Sequence, residues 1–477
     1  MKDIIVVGGG TAGLVAALIL KQRYSKIKIT IIKSDKIGII GVGEGTTEHW
    51  QEFIDFCQID RSELIKATDA TFKFGVMFEG WTKDPYFHYI GGLPNDKIVG
   101  QYKYHYSRII RDHLKPKDYT SKEHWENRVF HTTTPNQYHF NTFKLNSYLQ
   151  DKCRERQIKI IDDEIEHVNI NKKGINFLKS KTKKYKADFY IDSTGFKKVL
   201  ISKLGAKWVS YKDYLPMNEA IAFPTPDTKE YNTFTLAKAM QAGWMWRIPV
   251  WGRWGNGYVF NNNYINAEQA KKECEDYLGF KIKIGKNIKF EAGALDKAWI
   301  KNCVAIGLSS SFVEPLEATA ISTAINQSFL LMHKITTYID QDIEEYNKIY
   351  KSIVENIRDF VLLHYYVKKK NSPFWKDFKI KPTPFLEKFL PIWNKRLPMR
   401  MDFSQNYCLF YEHNFLIILK EMDLLDTKSY QKEYDLSSDW FDNMIQKEME
   451  EFNTLTRLFY ENAISHKDTL KQIRSKN

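Results

Sequence analysis

The sequence predicts an α/β protein with an alternating strand–helix unit at its N terminus, a mixed β region in the middle and a mainly helical C-terminal part. Three observations carry this. An apolar, β-branched run followed by glycines and a helical pattern opens the chain. Strand-like and turn-like segments alternate through the middle. From about Glu344, apolar residues recur at spacings of three and four. The chain has 477 residues, 43% of them hydrophobic and 14% aromatic, which is ample material for a packed interior. That length exceeds one ordinary core, so two intimately joined regions are expected: 1–343, which builds the site, and 344–477, helical and completing it.

Residues 3–7 (DIIVV) read as a buried parallel strand. Gly8, Gly10 and Gly13 follow in the spacing G-x-G-x-x-G, Thr11 and Ala12 open a helix, and Lys28–Ile32 returns as a second strand. This is the order of the Rossmann dinucleotide-binding fingerprint. Gly8 permits the tight turn, Gly10 lets a pyrophosphate approach the backbone, and Gly13 lets helix and strand pack closely. The helix N terminus supplies free N–H groups to the phosphates. The acid expected near position 33 to hold a ribose hydroxyl is replaced by Lys33; Asp35 is a candidate substitute. A second glycine-rich run, Ile37–Thr47, reads as a loop able to lie against a ligand. Helix is expected near Asn141–Arg156, and a buried strand over Asp188–Ile191, ended by Asp192–Gly195. Ile353, Ile357, Phe360, Val361, His364 and Tyr365 mark an amphipathic helix that stops before Pro373. Arg358 and Asp359 read as a structural pair on that helix's surface, and the tail Lys471–Asn477 as frayed.

The net charge of +13 raises nucleic-acid or anionic-surface binding. The lysine runs are short, however, and no nucleic-acid motif accompanies them, so a solvated lysine-rich surface is the preferred reading. Five scattered cysteines without a C-x-x-C pair argue for a reducing, cytoplasmic setting and against disulfides or a metal site. No stretch approaches the roughly 20 apolar residues of a membrane helix, and the N terminus does not resemble a signal peptide. A homo-oligomer is left open.

Five segments together resemble the flavin-dependent halogenases of the tryptophan-halogenase family: Gly8–Gly13, Gly41–Thr47 (GVGEGTT), Thr71–Trp81 (TFKFGVMFEGW), Gly243–Pro249 (GWMWRIP) and Gly307–Ile321 (GLSSSFVEPLEATAI). Asp192–Phe196 and Ile357–Trp375 also read like the family, so the likeness covers about residues 1–375. The lysine-rich composition is compatible with a phage-encoded member. The resemblance implies an FAD-binding, GR2-type flavin monooxygenase-like domain. It also implies reduced FAD from a separate flavin reductase, with O2 and halide as co-substrates. Hypohalous acid made there travels through a tunnel to a small electron-rich aromatic substrate.

By that match Lys73 is the catalytic lysine, whose side chain hydrogen-bonds the hypohalous acid or forms a haloamine. Glu317, in the P-L-E segment, orients the oxidant and stabilises the cationic intermediate of aromatic substitution. Taken without the match, Lys73 is a surface residue and Glu317 a helix-start carboxylate. The family usually has serine and glycine around the following threonine. This chain has Ala318–Thr319–Ala320, so the halide is expected on backbone N–H groups near Thr319 and Ala320. Trp244 and Trp246 form a wall between flavin and substrate, or are simply core. The cofactor contacts implied are Gly8, Gly10, Thr11, Ala12 and Gly13; Gly41, Val42, Gly43 and Glu44; Asp192 and Gly195; and Gly307 and Pro315. Two other readings stay open: a flavin-dependent aromatic hydroxylase, and a catalytically silent flavin-binding protein.

Overall fold

The computed structural model describes residues 1–41, 44–89, 127–129, 137–403, 407–426, 428, 431–432 and 435–475. Val42 and Gly43 lie outside the described residues.

The N-terminal unit forms as its pattern requires. Strand β1 (Asp3–Val7) leads through the glycine turn into helix α1 (Thr11–Arg23), and β2 (Lys28–Lys33) returns parallel to β1. A six-stranded sheet grows around them in the order Trp299–Ile300, Cys303–Ala305, Phe189–Asp192, β1, β2, Lys159–Asp162. Every pair is parallel except the edge strand Trp299–Ile300. The central strands are buried because helices cover them: Leu14 to Leu20 of α1 are solvent-free, and α1 packs against the helices Thr142–Glu155 and Thr319–Lys334. Val7 lies opposite Asp192 in the register. The glycine turn after β1 and the turn after Asp192 therefore leave the sheet side by side at its C-terminal edge, where open α/β sheets bind ligands.

The middle of the chain builds a seven-stranded, mainly antiparallel sheet. Its order is Lys286–Lys289, Glu219–Pro226, Arg253–Phe260, Gly243–Val250, Phe234–Met240, Gly75–Glu79, Tyr86–Tyr89. Side chains alternate across it. Trp244, Trp246 and Ile248 face the main core, while Met245 faces a smaller cluster with Ala270 and Cys274 of the helix Ala267–Leu278.

The helix Asp340–Leu363 buries Ile353, Ile357, Phe360 and Val361 and ends before Pro373, which itself opens a short helix at Pro373–Asp377. Two expectations are corrected. Arg358 and Asp359 pair at 2.8 Å as a structural feature, but inside the molecule and not on its surface. The Arg358 guanidinium lies 5.0 and 5.1 Å from the Tyr211 and Tyr214 rings, and burial raises Asp359 to about 6 despite its partner. Of the tail Lys471–Asn477, residues 471–475 continue the helix His466–Ser475, which is anchored by the buried His466, Thr469 and Leu470, while 476 and 477 lie outside the described residues. All five cysteines are buried and unbridged. Among the described residues no helix is long and apolar enough to cross a membrane, and no cluster could hold a metal ion.

Candidate active site

The glycine crevice has the shape a dinucleotide needs. Gly8 holds φ +114°, and a Cβ there would fall 2.1 Å from the Ser193 carbonyl oxygen. A Cβ at Gly13 would lie 2.4 Å from the Gly8 oxygen, so this glycine serves packing. Gly10 is different: nothing stands within 4 Å of its Cβ position, and as the N-cap of α1 it offers no side chain to the helix. Thr11 and Ala12 thus begin a helix whose first N–H groups have no side-chain cap. The buried hydroxyls of Ser193 and Ser309 find no partner among the described residues, and Gly195 also borders open space. Gly307 packs on Ala12. An uncapped helix end, open glycines and two orphaned hydroxyls fit a bound FAD.

Asp192 shapes the turn that borders this crevice. Its Oδ1 accepts from Thr194 N–H and hydroxyl at 3.0 and 2.7 Å, and its Oδ2 from Leu200 and Ile201 N–H at 2.8 and 2.9 Å. Lys33 pairs with Asp35, so the position where an acid was expected carries a cation holding an acid.

Lys73 is fully buried. Its backbone is pinned by its own N–H to Gln137 O and by Phe74 N–H to Thr233 O, and its Nζ donates to Thr46 O at 2.8 Å. Burial pulls the ammonium down to about 8, against the opposing carboxylates of Glu317 and Glu48. A Cβ on Gly45 would lie 3.2 Å from the Ala318 Cβ and 3.9 Å from Lys73 Nζ. The loop, the P-L-E segment and the lysine meet there. The loop is tied down on three sides. Glu44 pairs with Arg253, Lys286 donates to the Ile39 and Ile40 carbonyls, and Thr47 Oγ1 bonds Ser322 Oγ at 2.7 Å. Gly41, at the loop's start, sits against the Phe143 ring.

Glu317 is the second buried charge. Burial alone would raise its carboxyl, but His88 and His364 reverse that and hold it at about 2. His88 Nδ1 and His364 Nε2 reach the same Oε1 at 2.9 and 3.0 Å, leaving Oε2 without a partner among the described residues. Hydrogen bonds fix the protons. Asn414 Oδ1 accepts from Tyr411 N–H, so its Nδ2 donates to His88 Nε2, which leaves His88 Nδ1 to donate to Glu317. His364 Nδ1 donates to Phe360 O at 2.9 Å, which turns its Nε2 edge toward Glu317.

Ala318, at φ +56°, turns the chain into the helix Thr319–Lys334. Thr319 and Ala320 are that helix's first residues, one buried and one exposed, with N–H groups at the positive end of a 16-residue helix. Trp244 and Trp246 are 1% and 6% exposed, their rings 6.1 Å apart on one face. Trp246 lies across Gly257, its register partner, where any Cβ would meet the indole at 2.0 Å. Glu314, one residue before the half-buried Pro315, accepts from Trp244 Nε1 at 3.1 Å and from the Tyr365 hydroxyl at 2.8 Å. The sequence motifs thus converge. His88, His364, Asn414, Arg253 and Glu314 were not singled out; His88 reaches Glu317 across 229 residues of chain, so no local pattern announces it.

The family description "Tryptophan halogenase" matches residues 3–438. Tryptophan 6-halogenase SttH of Streptomyces toxytricini is 29% identical over 472 residues, 87% of this chain and 88% of that protein. Tryptophan 7-halogenase RebH of Lentzea aerocolonigenes is 29% identical over 421 residues, 80% and 79% of the two chains. Among solved structures, SttH superposes with TM-score 0.90 at 25% identity, covering 99% of this chain and 100% of that one. Tar14, a tryptophan C-6 flavin-dependent halogenase from taromycin biosynthesis, superposes with TM-score 0.91 at 25% identity over 100% of both. With fold, crevice and motifs in agreement, the chain belongs to the tryptophan halogenase family and is an FAD-dependent halogenase of aromatic substrates.

Proposed function

We propose that Lys73 and Glu317 are the catalytic pair and that the substrate is a small indole- or phenol-like molecule. The observation that carries this is a fully buried ammonium and a fully buried carboxylate that feel each other's charge where Gly45 meets Ala318 of the P-L-E segment. Reduced FAD with O2 supplies the oxidising equivalent that turns halide into hypohalous acid. The protein's own groups do the rest. Gly8, Gly10, Thr11, Ala12, Gly13, Gly41, Glu44, Gly195, Gly307 and Pro315 surround the cofactor, and Asp192 holds its turn. The N–H groups of Thr319 and Ala320 take the halide. Lys73 donates a hydrogen bond to the oxidant, and Glu317, kept ionised by its histidines, holds the oxidant in place and offsets positive charge on the ring. Trp244 and Trp246 separate the cofactor from the substrate and exclude water. Region 344–477 completes the substrate side; support comes from His364 on Glu317, Tyr365 on Glu314 and Asn414 on His88. The partner is a separate flavin reductase, and the setting cytoplasmic, in keeping with five free thiols.

The test is a reaction of the purified protein with FAD, a flavin reductase, NADH, O2 and a chloride–bromide mixture against a panel of indoles and phenols. Halogenated product is expected from at least one member. Hydroxylated product independent of halide sinks this reading.

A further inference from the structure

Glu314 is a buried acid with no part in the chemistry described above. Its Oε2 accepts both the Trp244 indole N–H and the Tyr365 hydroxyl, and its Oε1 has no partner among the described residues. No lysine, arginine or histidine pairs with it among the described residues, and burial raises its carboxyl to about 7, only partly offset by the two donors. Such a group is costly in a core, and an apolar side chain would cost less. What it does there is geometric. The indole N–H of Trp244 is a donor only, and on a strand face between Ala239 and Val259 nothing but packing sets the ring's rotation. Glu314 gives that N–H one fixed acceptor. The acceptor is itself held: Tyr365 stands edge-on to Trp81 at 5.6 Å and near-parallel to Trp375 at 6.1 Å, so its hydroxyl has one direction. Glu314 lies three residues before Glu317 on the same segment, so the link joins the indole to the segment bearing the proposed catalytic carboxylate.

We propose that Glu314 is a positioning residue which locks the Trp244 indole to the P-L-E segment and thereby directs hypohalous acid to the substrate and limits its escape. This rests on the reading of Trp244 as part of the wall. The lock would hold in either protonation state, because a proton on the free Oε1 leaves Oε2 available to both donors.

The test uses full-length protein loaded with FAD and labelled with 5-fluorotryptophan, the Trp244 resonance being assigned by its absence in Trp244→Phe. Glu314→Leu is expected to shift or broaden that resonance, and Glu314→Gln, whose amide oxygen still accepts, to restore it. In parallel, halogenated substrate is compared with hypohalous acid caught by an external trap. The ratio is expected to fall about fivefold to tenfold in Glu314→Leu, the worth of one hydrogen bond to a charged or polar group, with FAD affinity unchanged. Trp244→Phe should lower it comparably, and the double variant little further. An unmoved Trp244 resonance in Glu314→Leu overturns the proposal, as do additive losses in the double variant. A moved resonance with an unchanged ratio in both single variants upholds the lock and removes the wall.

Discussion

Lys73 carries its charge where charge is disfavoured, and that makes its role measurable. With burial holding it at about 8, the side chain is mostly ammonium at neutral pH and loses its proton within the working range, where an ordinary lysine would not. If the ammonium acts as donor, the single-turnover rate with pre-reduced FAD falls as pH rises through about 8. A rise over the same range would identify the free amine as the reacting form and sink the donor role. Lys73→Met should lower halogenation by about 10²–10⁴-fold without weakening FAD binding. Glu314 makes a second, separate prediction. Its folded-state pKa, about 7, lies above its ordinary value, so between roughly pH 4.5 and 7 the folded chain binds more protons than the unfolded one. Stability from this group is thus full at low pH and declines as pH rises, by roughly 3 kcal/mol in all. Urea titrations of Glu314→Gln should lack that decline; identical pH profiles for the two proteins would contradict it. At this scale the sequence was legible through motifs: Lys73, Glu317, Trp244 and Trp246 were identified by their neighbours in the chain. The residues that set their charges and angles were not, because His88, His364 and Glu314 act through contacts that only the folded chain brings together.

The elements divide by the same logic. The β1–α1–β2 unit was legible to within a residue, since strand pattern, glycine spacing and helix pattern all agree locally. The crevice it forms bears out the different surroundings that the fingerprint expects of its second and third glycines. At Gly13 a methyl group would sit 2.4 Å from the Gly8 oxygen, whereas at Gly10 it meets nothing within 4 Å. Gly13→Ala should therefore lower the melting temperature of the apoprotein. Gly10→Ala should leave that temperature unchanged and weaken FAD binding, measured by quenching of flavin fluorescence, because the methyl occupies the phosphate's approach. Equal losses of stability in both variants would show that Gly10 also serves packing. Less legible were the helix Asp340–Leu363 and the tail. The pattern gave the former's buried stripe, yet Arg358 and Asp359 looked like surface, because the Tyr211 and Tyr214 rings that lie against the Arg358 guanidinium come from a distant part of the chain. The tail's lysines outweighed, in a one-dimensional reading, the three residues that dock it.

Across the whole molecule the chain returns to its beginning. Motif resemblance fades after residue 375, yet the last helix places His466 directly beside the short strand Thr71–Phe72 that leads into Lys73. Its Nε2 accepts the Phe72 N–H at 3.0 Å, its Nδ1 donates to Tyr231 O at 3.0 Å, and its ring stacks on Phe72 at 5.5 Å. Burial holds this histidine at about 4, so the neutral ring that accepts from Phe72 persists through the working range. The contact spans 394 residues, and no spacing rule reads it. The backbone of Lys73 is thus pinned by Gln137 on one side and, through Phe72, by the C-terminal helix on the other. His466→Phe keeps the stacked ring and removes the acceptor, leaving a buried N–H unsatisfied one residue from the lysine. That should cost about 1–3 kcal/mol of stability and lower the halogenation rate while FAD affinity stays as it was, because the glycine crevice is built from other elements. His466→Gln, whose side-chain oxygen can accept the same N–H, should recover part of the rate. Wild-type rate and melting temperature in His466→Phe would mean that the C-terminal helix merely covers the site and that Lys73 is positioned without it.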